Sequence, residues 1–586
     1  MEGGPEAPTE LELESNQIYF LVLILLLLIC FIGSDCATRR LWFLTEGSFA
    51  TLVGLVGGVG FLLVSVFGKK EFRSLKIMFD SEVFLDILLP PIIFQQGFSM
   101  HKQRFFKQMG GILSFGLLGT ILSFAVISVM ISVLSVFSTR TCLKLGAIMA
   151  ATDSVAVLQV LSQKRTPLLH SLVFGEGVVN DASSIVLLRS IKSAYKQVKM
   201  DDALSSTVYH IFFSFFVTFT LSSLVGISVG LFSALLMRLR AVSNSYRERL
   251  DDEATPTWLQ RSASMRGIHL DFLANLTATH QVILLGLLAY LAYFSSELLG
   301  LSGIMTLFVT GLVMSHYTQH NLDDEAKVTC TNLFHALSLL AEVVIYILVG
   351  LDSLYKGNWN NVNKSQVIAL VVVLLLAILL ARIVFVFPMC YLANLLPGLM
   401  QVQKAGQLSR LNFYDMCIIV WAGTLRGAVS VALCLYAFAP DPIKADKEAS
   451  TVIAAVMALV IFSVIALGAA TKPLIQFLDA KRMILVRNAS GVVEEDGGLG
   501  LSLVRFPSGY ESEPPSTPPR SPSAANASHV RRKSWLMKKW DVFDDEVMKP
   551  IFGGEMTSRT SHQILEEDSE EETSTARDVC LKSENH

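Results

Sequence analysis

Apolar stretches of about 18–28 residues, nearly free of charge, recur along this chain from Gln17 to about Leu478. An α-helix rises 1.5 Å per residue, so each stretch can cross a hydrocarbon layer of about 30 Å. About thirteen spans are expected, near 17–34, 48–67, 82–98, 111–137, 143–161, 167–188, 207–237, 280–299, 302–317, 330–353, 367–395, 415–438 and 450–478. Inside lipid every backbone polar group must find its partner within the protein, which leaves helices or a closed barrel. The ten-residue alternation of an outer-membrane barrel is not present in these stretches. The expected fold is an all-α polytopic membrane bundle.

Composition agrees with that reading. Of 586 residues 52% are hydrophobic and only 17% charged, against about 25% charged in soluble domains. The net charge of −3 comes without a basic domain, which argues against nucleic acid as a partner. The eight cysteines, among them Cys30, Cys142, Cys330 and Cys434, lack paired spacing and read as apolar fillers or free thiols. The segment Ile18 to Ile32 follows an acidic leader (Glu2, Glu6, Glu10, Glu12, Glu14), where a cleaved signal would carry basic residues, so it reads as a retained first span.

An odd number of spans puts the termini on opposite sides. Arg238, Arg240, Arg247, Arg249, Arg261 and Arg266, with Lys481 and Arg482, assign the loop after span seven and the tail to the cytosol. Lys69, Lys70, Arg73 and Lys76 oppose this assignment. The expected organisation is a non-cytosolic leader (1–16), a membrane domain (17–479) and a cytosolic regulatory tail (480–586). In that tail residues 507–528 are rich in Pro and Ser and are expected to be disordered.

Two spans are interrupted. Span five carries Gly146 and Thr152-Asp153-Ser154; span twelve carries Gly423-Thr424 and Arg426-Gly427. If spans one to six and eight to thirteen are inverted repeats joined by span seven, the interrupted spans are counterparts. Paired broken helices point to a transporter site, because their free ends face a midplane cavity.

An ionisable group at mid-bilayer costs about 2.5–3.5 kcal/mol on insertion scales, so each needs a partner or a task. The candidates are Asp86, Asp153, Glu176, Asp181, Glu297, Glu342, Asp352, Arg382 and Arg426, of which Glu297 and Asp352 sit near span ends and are expected to reach water. In span six, Glu176 and Asn180 share one helical face, and Gly177, Asp181 and Ser184 the next. Asp181 is expected to point into a narrow polar space, with Asp153 and the freed carbonyls near Thr152 supplied by span five. A carboxylate there takes either a proton or a cation, and that competition is the chemistry of exchange. Asn180 offers an oxygen without a second charge, so one-for-one electroneutral exchange is expected. The bland alternative for Asp181 is a structural pair with Arg382 or Arg426. For Glu176 a structural pair with Arg382 is the favoured reading, and Arg426 is suited to compensating negative helix C-terminal ends.

These residues also carry a resemblance. Leu88-Leu89-Pro90-Pro91-Ile92-Ile93-Phe94, Ala150 to Ser154, Phe174 to Ala182, Met314 to Tyr317 and Leu425 to Ser430 resemble the sodium/proton exchanger family, most of all the vacuolar Na+(K+)/H+ antiporters of plants and algae. Trp540 to Gly554 resembles a tail element of that family. The resemblance implies an antiporter of Na+ or K+ for H+ in an intracellular membrane (vacuolar, with endosomal, Golgi or plasma membrane as alternatives). It implies roles in ion and pH homeostasis and salt tolerance, a homodimer with a mobile core, and no cofactor. It places the ion at Asp181 and Asn180 with Thr152 and Asp153 nearby, and makes Glu176–Arg382 a salt bridge and Arg426 a stabiliser of the broken helices. It assigns Leu88 to Phe94 to an amiloride-sensitive segment and Glu342 to ion access and inhibitor response. Gln95-Gln96, Asp86 and the long loop from about Arg238 to His280 depart from the family pattern, and the first two leave inhibitor response and ion preference open.

Smaller signals remain. His316 and His320 lack the partners of a zinc site and read as solvated or pH-tuning residues. Asn363-Lys-Ser365 and Asn275-Leu-Thr277 are glycosylation sequons. The basic, tryptophan-containing stretch 531–540 suits calmodulin or anionic lipid, with Ser534 in a kinase-like context. A channel or uniporter is the competing function, but no carbonyl-filter motif supports it. An intramembrane enzyme is not indicated, since the metalloprotease, aspartyl-protease and nucleophile-elbow motifs are missing.

Overall fold

The computed structural model describes residues 10–41, 44–67, 83–100, 110–134, 136–161, 166–197, 204–251, 276–354, 359, 362–395, 403–404, 407–408, 411–438, 447–489 and 542–553. Helix accounts for nearly all of this, apart from a two-stranded ribbon pairing Gln403–Lys404 with Gln407–Leu408. Each expected span is matched by a helix. These are α1 (Glu10–Arg40), α2 (Glu46–Phe67), α3 (Phe84–Phe98) and α4 (Gly110–Ser132), then α5a (Thr139–Ile148) with α5b (Val155–Leu158), and α6 (Pro167–Gln197). After α7 (Leu204–Asp251) come α8 (Ala278–Leu298), α9 (Gly303–His316), α10 (Asp324–Ser353) and α11 (Lys364–Leu395). The last spans are α12a (Phe413–Thr424) with α12b (Ala428–Phe438), and α13 (Lys447–Ala489); a short tail helix, α14, covers Asp544–Phe552.

Eight described helices are long and apolar enough to cross a membrane, and the α12a–α12b pair, bent by 42°, makes a ninth. Three shorter apolar helices (Phe20–Ser34, Phe84–Phe98, Gly303–His316) and interrupted α5 complete the set. Outward-facing side chains such as Leu21, Val56, Leu224, Leu291 and Ile368 are exposed apolar groups, as lipid contact requires. Buried apolar residues form one large cluster, a second one around α5b, α6, α11 and α12a, and a small one that joins α1 and α2 to α10.

Three of the described membrane helices contain a wide π-type turn, Phe84–Leu88 in α3, Ser114–Leu118 in α4 and Ser463–Leu467 in α13, and the tail helix α14 begins with another, Asp544–Met548. Such turns re-aim side chains and leave backbone groups for other partners. In α3 the turn presents Asp86 to the Tyr293 hydroxyl at 2.8 Å. In α13 it presents the Ser463 hydroxyl to the Arg426 N–H at 2.8 Å.

Two local expectations change. The arginines after span seven do not begin a loop: α7 continues as helix to Asp251, and Arg240 binds Asp323 through Nη1 at 2.9 Å. Glu297 is not simply solvated. Arg189 of α6 grips it through both terminal nitrogens, at 2.7 and 2.8 Å, and also donates to the Leu301 carbonyl. The tail stretch 531–540 with Ser534, the Pro- and Ser-rich segment 507–528, Asn275 and residues 1–9 lie outside the described residues.

Candidate functional site

The site forms where α5 and α12 lose their helices side by side. In α5 the chain leaves the helix after Met149 and re-enters at Val155. Asp153 drives this locally: its Oδ1 accepts from the Val155 N–H at 3.2 Å, an Asx-type turn that competes with helical bonding. In α12 the break spans Leu425, Arg426 and Gly427. The Asp153 N–H donates to the Leu425 carbonyl at 3.1 Å, so one break satisfies the other. Gly427 permits the approach, since a Cβ there would collide with the Asp153 side chain.

Arg426 closes the end of α12a. It is 1% exposed, and its Nη1 donates to the carbonyls of Gly423 at 2.7 Å and Leu425 at 2.9 Å. These are carbonyls that a broken helix leaves without intrahelical partners. Its guanidinium therefore sits at the negative end of α12a's dipole.

Helix α6 passes this crossing with two carboxylates in different surroundings. Glu176 forms a buried ion pair with Arg382 of α11, whose side chain is fully enclosed. Asn180, also fully buried, donates through Nδ2 to Thr152 Oγ1 at 3.3 Å and to Glu176 Oε1 at 3.5 Å. Its Oδ1 faces Thr120 of α4, whose hydroxyl lies 2.9 Å away and is shared with the Gly116 carbonyl at 2.6 Å. The Asn180 oxygen thus points into the α4–α6 interface. Asp181 instead lines a cavity of about 70 Å³, and its Oδ1 accepts from the Thr152 N–H at 3.3 Å.

That cavity is walled by Gln96 of α3, Thr152 and Asp153, Gly177 and Asp181, Glu342 and Tyr346 of α10, and Gly427 to Ser430. A second cavity of about 40 Å³ adjoins it, lined by Thr45 to Gly47, Asp153, Gln159, Glu342, Tyr346, Arg426 and Ser463. Both exceed the space one water needs, so they suit a partly hydrated small cation. The tail helix docks beside the end of α9: Asn321 donates to the Phe552 carbonyl at 2.7 Å, and Asp544 lies against His316 and Tyr317.

Thr152, Asp153, Asp181 and Glu342 therefore line one cavity and Arg426 the adjoining one, while Asn180, Glu176 and Arg382 line neither. Leu88 and Phe94 do not reach it. They line a separate apolar cavity with Leu27, Pro91, Tyr290 and Phe334, whereas Ile92 and Gln96 on α3 face Asp181. Sequence pattern alone does not single out Tyr346, whose hydroxyl donates to Asp153 Oδ2 at 2.6 Å, nor Thr120, Ser463 and the Arg189–Glu297 pair. A lone polar residue in an apolar helix gives little signal, and Arg189, just past the apolar stretch of span six, reads as an ordinary flanking charge.

The chain matches the family described as sodium/hydrogen exchanger, transmembrane, over residues 15–247 and 266–476. It belongs to that family. It is 33% identical to Sodium/hydrogen exchanger 1 of Arabidopsis thaliana over 541 residues, covering 90% of this chain and 91% of the relative. Against Sodium/hydrogen exchanger 1 of Oryza sativa subsp. japonica the identity is 33% over 542 residues, with the same two coverages. The sodium proton antiporter MjNhaP1 from Methanocaldococcus jannaschii superposes with a TM-score of 0.51 at 19% identity, covering 79% of this chain and 99% of that one. This last likeness bears on the fold alone. Sodium/hydrogen exchangers are transporters rather than enzymes.

Proposed function

We propose that this chain exchanges Na+ or K+ for H+ one for one, with Asp181 as the carboxylate that proton and cation occupy in turn. One observation carries the reading. Asp181 faces a cavity at the crossing of two broken helices, where among the described residues its hydrogen bond is a long one from the Thr152 N–H. A cation there gains oxygen from Asp181, Asp153 and Thr152, all at the crossing. Protonation of Asp181 removes the charge that holds the cation, and one charge replaced by one charge keeps the cycle electroneutral. Asn180, its oxygen turned to Thr120, serves in this conformation by holding Thr152 in place.

On the same reading Glu176–Arg382 ties α6 to α11 and Arg426 offsets the ends of α12a. Glu342 guards ion access from α10, and the Leu88–Phe94 segment shapes inhibitor response from the neighbouring apolar cavity. The membrane domain is 17–479, with 1–16 as a non-cytosolic leader and 480–586 as a cytosolic regulatory tail. The motif resemblance supports a vacuolar membrane, a homodimer and a part in salt tolerance and pH homeostasis. Stretch 531–540 is assigned to calmodulin or anionic lipid on its basic and aromatic composition.

The test is dissipation of an imposed pH gradient in liposomes holding the full chain, with Na+, K+ and Li+ added in turn. The expected result is cation-dependent proton flux that Asp181→Asn abolishes. Normal exchange by that variant would overturn the assignment, and cation flux without coupled proton movement would make the chain a channel.

A further inference from the structure

The two cavities at the crossing share Asp153, Val155, Glu342 and Tyr346, so the contact between Asp153 and Tyr346 stands where they meet. The two partners differ in how firmly they are held. Tyr346 is on α10, which packs directly on α2: Gly350 lies so close that a Cβ would stand 2.6 Å from the Thr51 carbonyl oxygen. Its ring also rests on α2, within 3.0 Å of where a Cβ of Gly47 would be. Tyr346 is therefore a fixed post. Asp153 sits in the unwound stretch of α5, where no helical bonding holds the chain.

Both Asp153 oxygens are engaged in this conformation. Oδ1 accepts from the Val155 N–H, and Oδ2 accepts from the Tyr346 hydroxyl at 2.6 Å. A cation shared between Asp181 and Asp153 needs an Asp153 oxygen, so it competes with that hydroxyl. Along α10 the residues Ser338, Glu342 and Tyr346 recur every four positions, and the Ser338 hydroxyl donates to Glu342 at 3.2 Å. Ser338 thereby occupies Glu342, and Tyr346 is left facing Asp153.

We propose that Tyr346 is a positioning residue that latches Asp153 to α10 while the cation site is empty and releases it when a cation arrives. The latch sets cation affinity and joins occupancy of the crossing to its hold on α10. It rests on the exchange reading of the site given above. Tyr346→Phe keeps the ring against Gly47 and removes the hydroxyl alone, so it deletes the competitor without opening a void.

The test uses the full chain in liposomes, with wild type, Tyr346→Phe and Asp181→Asn assayed together for Na+-dependent proton flux. A hydrogen bond to a charged group contributes enough that its loss is expected to lower the half-saturating Na+ concentration of Tyr346→Phe about tenfold. Maximal flux should change less. A second readout needs no turnover: the Na+ concentration giving half of the thermal stabilisation of the purified protein should fall in parallel. Unchanged half-saturation in both assays would overturn the latch. So would a rise, which would make the hydroxyl a cation ligand. Flux retained by Asp181→Asn would instead strike at the exchange site itself, whatever Tyr346→Phe does.

Discussion

The two flanks of α6 and its centre treat buried charge in opposite ways. Toward its start Glu176 is paired with Arg382, and two turns beyond Asp181 Arg189 is paired with Glu297 and a backbone carbonyl. Between them Asp181 has the Thr152 N–H at 3.3 Å and a cavity. Paired charges in a low-dielectric interior hold helices in register, and removing one partner strands the other. A carboxylate left facing a cavity keeps its capacity for a mobile ion. On the proposed reading the contrast separates scaffold from site on one helix.

The largest expected effect lies at the first flank. Arg382→Ala leaves Glu176 buried and unpaired, and should destabilise the protein by about 3–5 kcal/mol. Thermal unfolding in detergent checks this; a loss of exchange at unchanged stability would move the pair into the transport site. Arg189→Gln should cost less, about 1–3 kcal/mol, because the pair is partly exposed, with 21% and 27% of the two side chains accessible. Equal costs at both flanks would erase the distinction in burial. Thr120→Val removes the donor facing the Asn180 oxygen and should cost about 1 kcal/mol. That variant should also raise the half-saturating cation concentration modestly, read as a KM change in the liposome assay, since Asn180 holds Thr152.

The smallest effect concerns the docked tail. Burial alone would raise the Asp544 carboxyl, but hydrogen bonds from His316 and Tyr317 and the charges of His316 and Lys549 outweigh it and hold it below its ordinary value. A depressed carboxyl contributes stability above its unfolded value, of about 3.9, and loses it as pH falls through the folded value. Docking of 542–553 should therefore persist from pH 8 to pH 5 and fail only in stronger acid. Hydrogen exchange of that segment checks it, and release of the tail near pH 6 would contradict it.

The spans and their breaks were legible because each is a local property: a long apolar run, or glycine and polar residues inside one. Family motifs brought Thr152, Asp153 and Asp181 together on paper, since they fall within two short stretches. What stayed hidden depends on distant pairings. Tyr346 meets Asp153 across 193 residues, Thr120 meets Asn180 across 60, and Arg189 meets Glu297 across 108. The extension of α7 was obscured because its last turns are charged, and hydropathy marks where lipid ends, not where a helix does. The side of α6 to which the Asn180 oxygen turns depends on Thr120 of another helix, which helical periodicity does not report.

The central claim is that one carboxylate holds proton and cation by turns, and proton release on binding tests it most directly. Purified protein in weakly buffered solution is mixed with Na+ or K+, and the protons released are counted against cation bound. The expected result is close to one proton per cation for the wild type and none for Asp181→Asn. Cation binding without proton release, or the same release from Asp181→Asn, would contradict it.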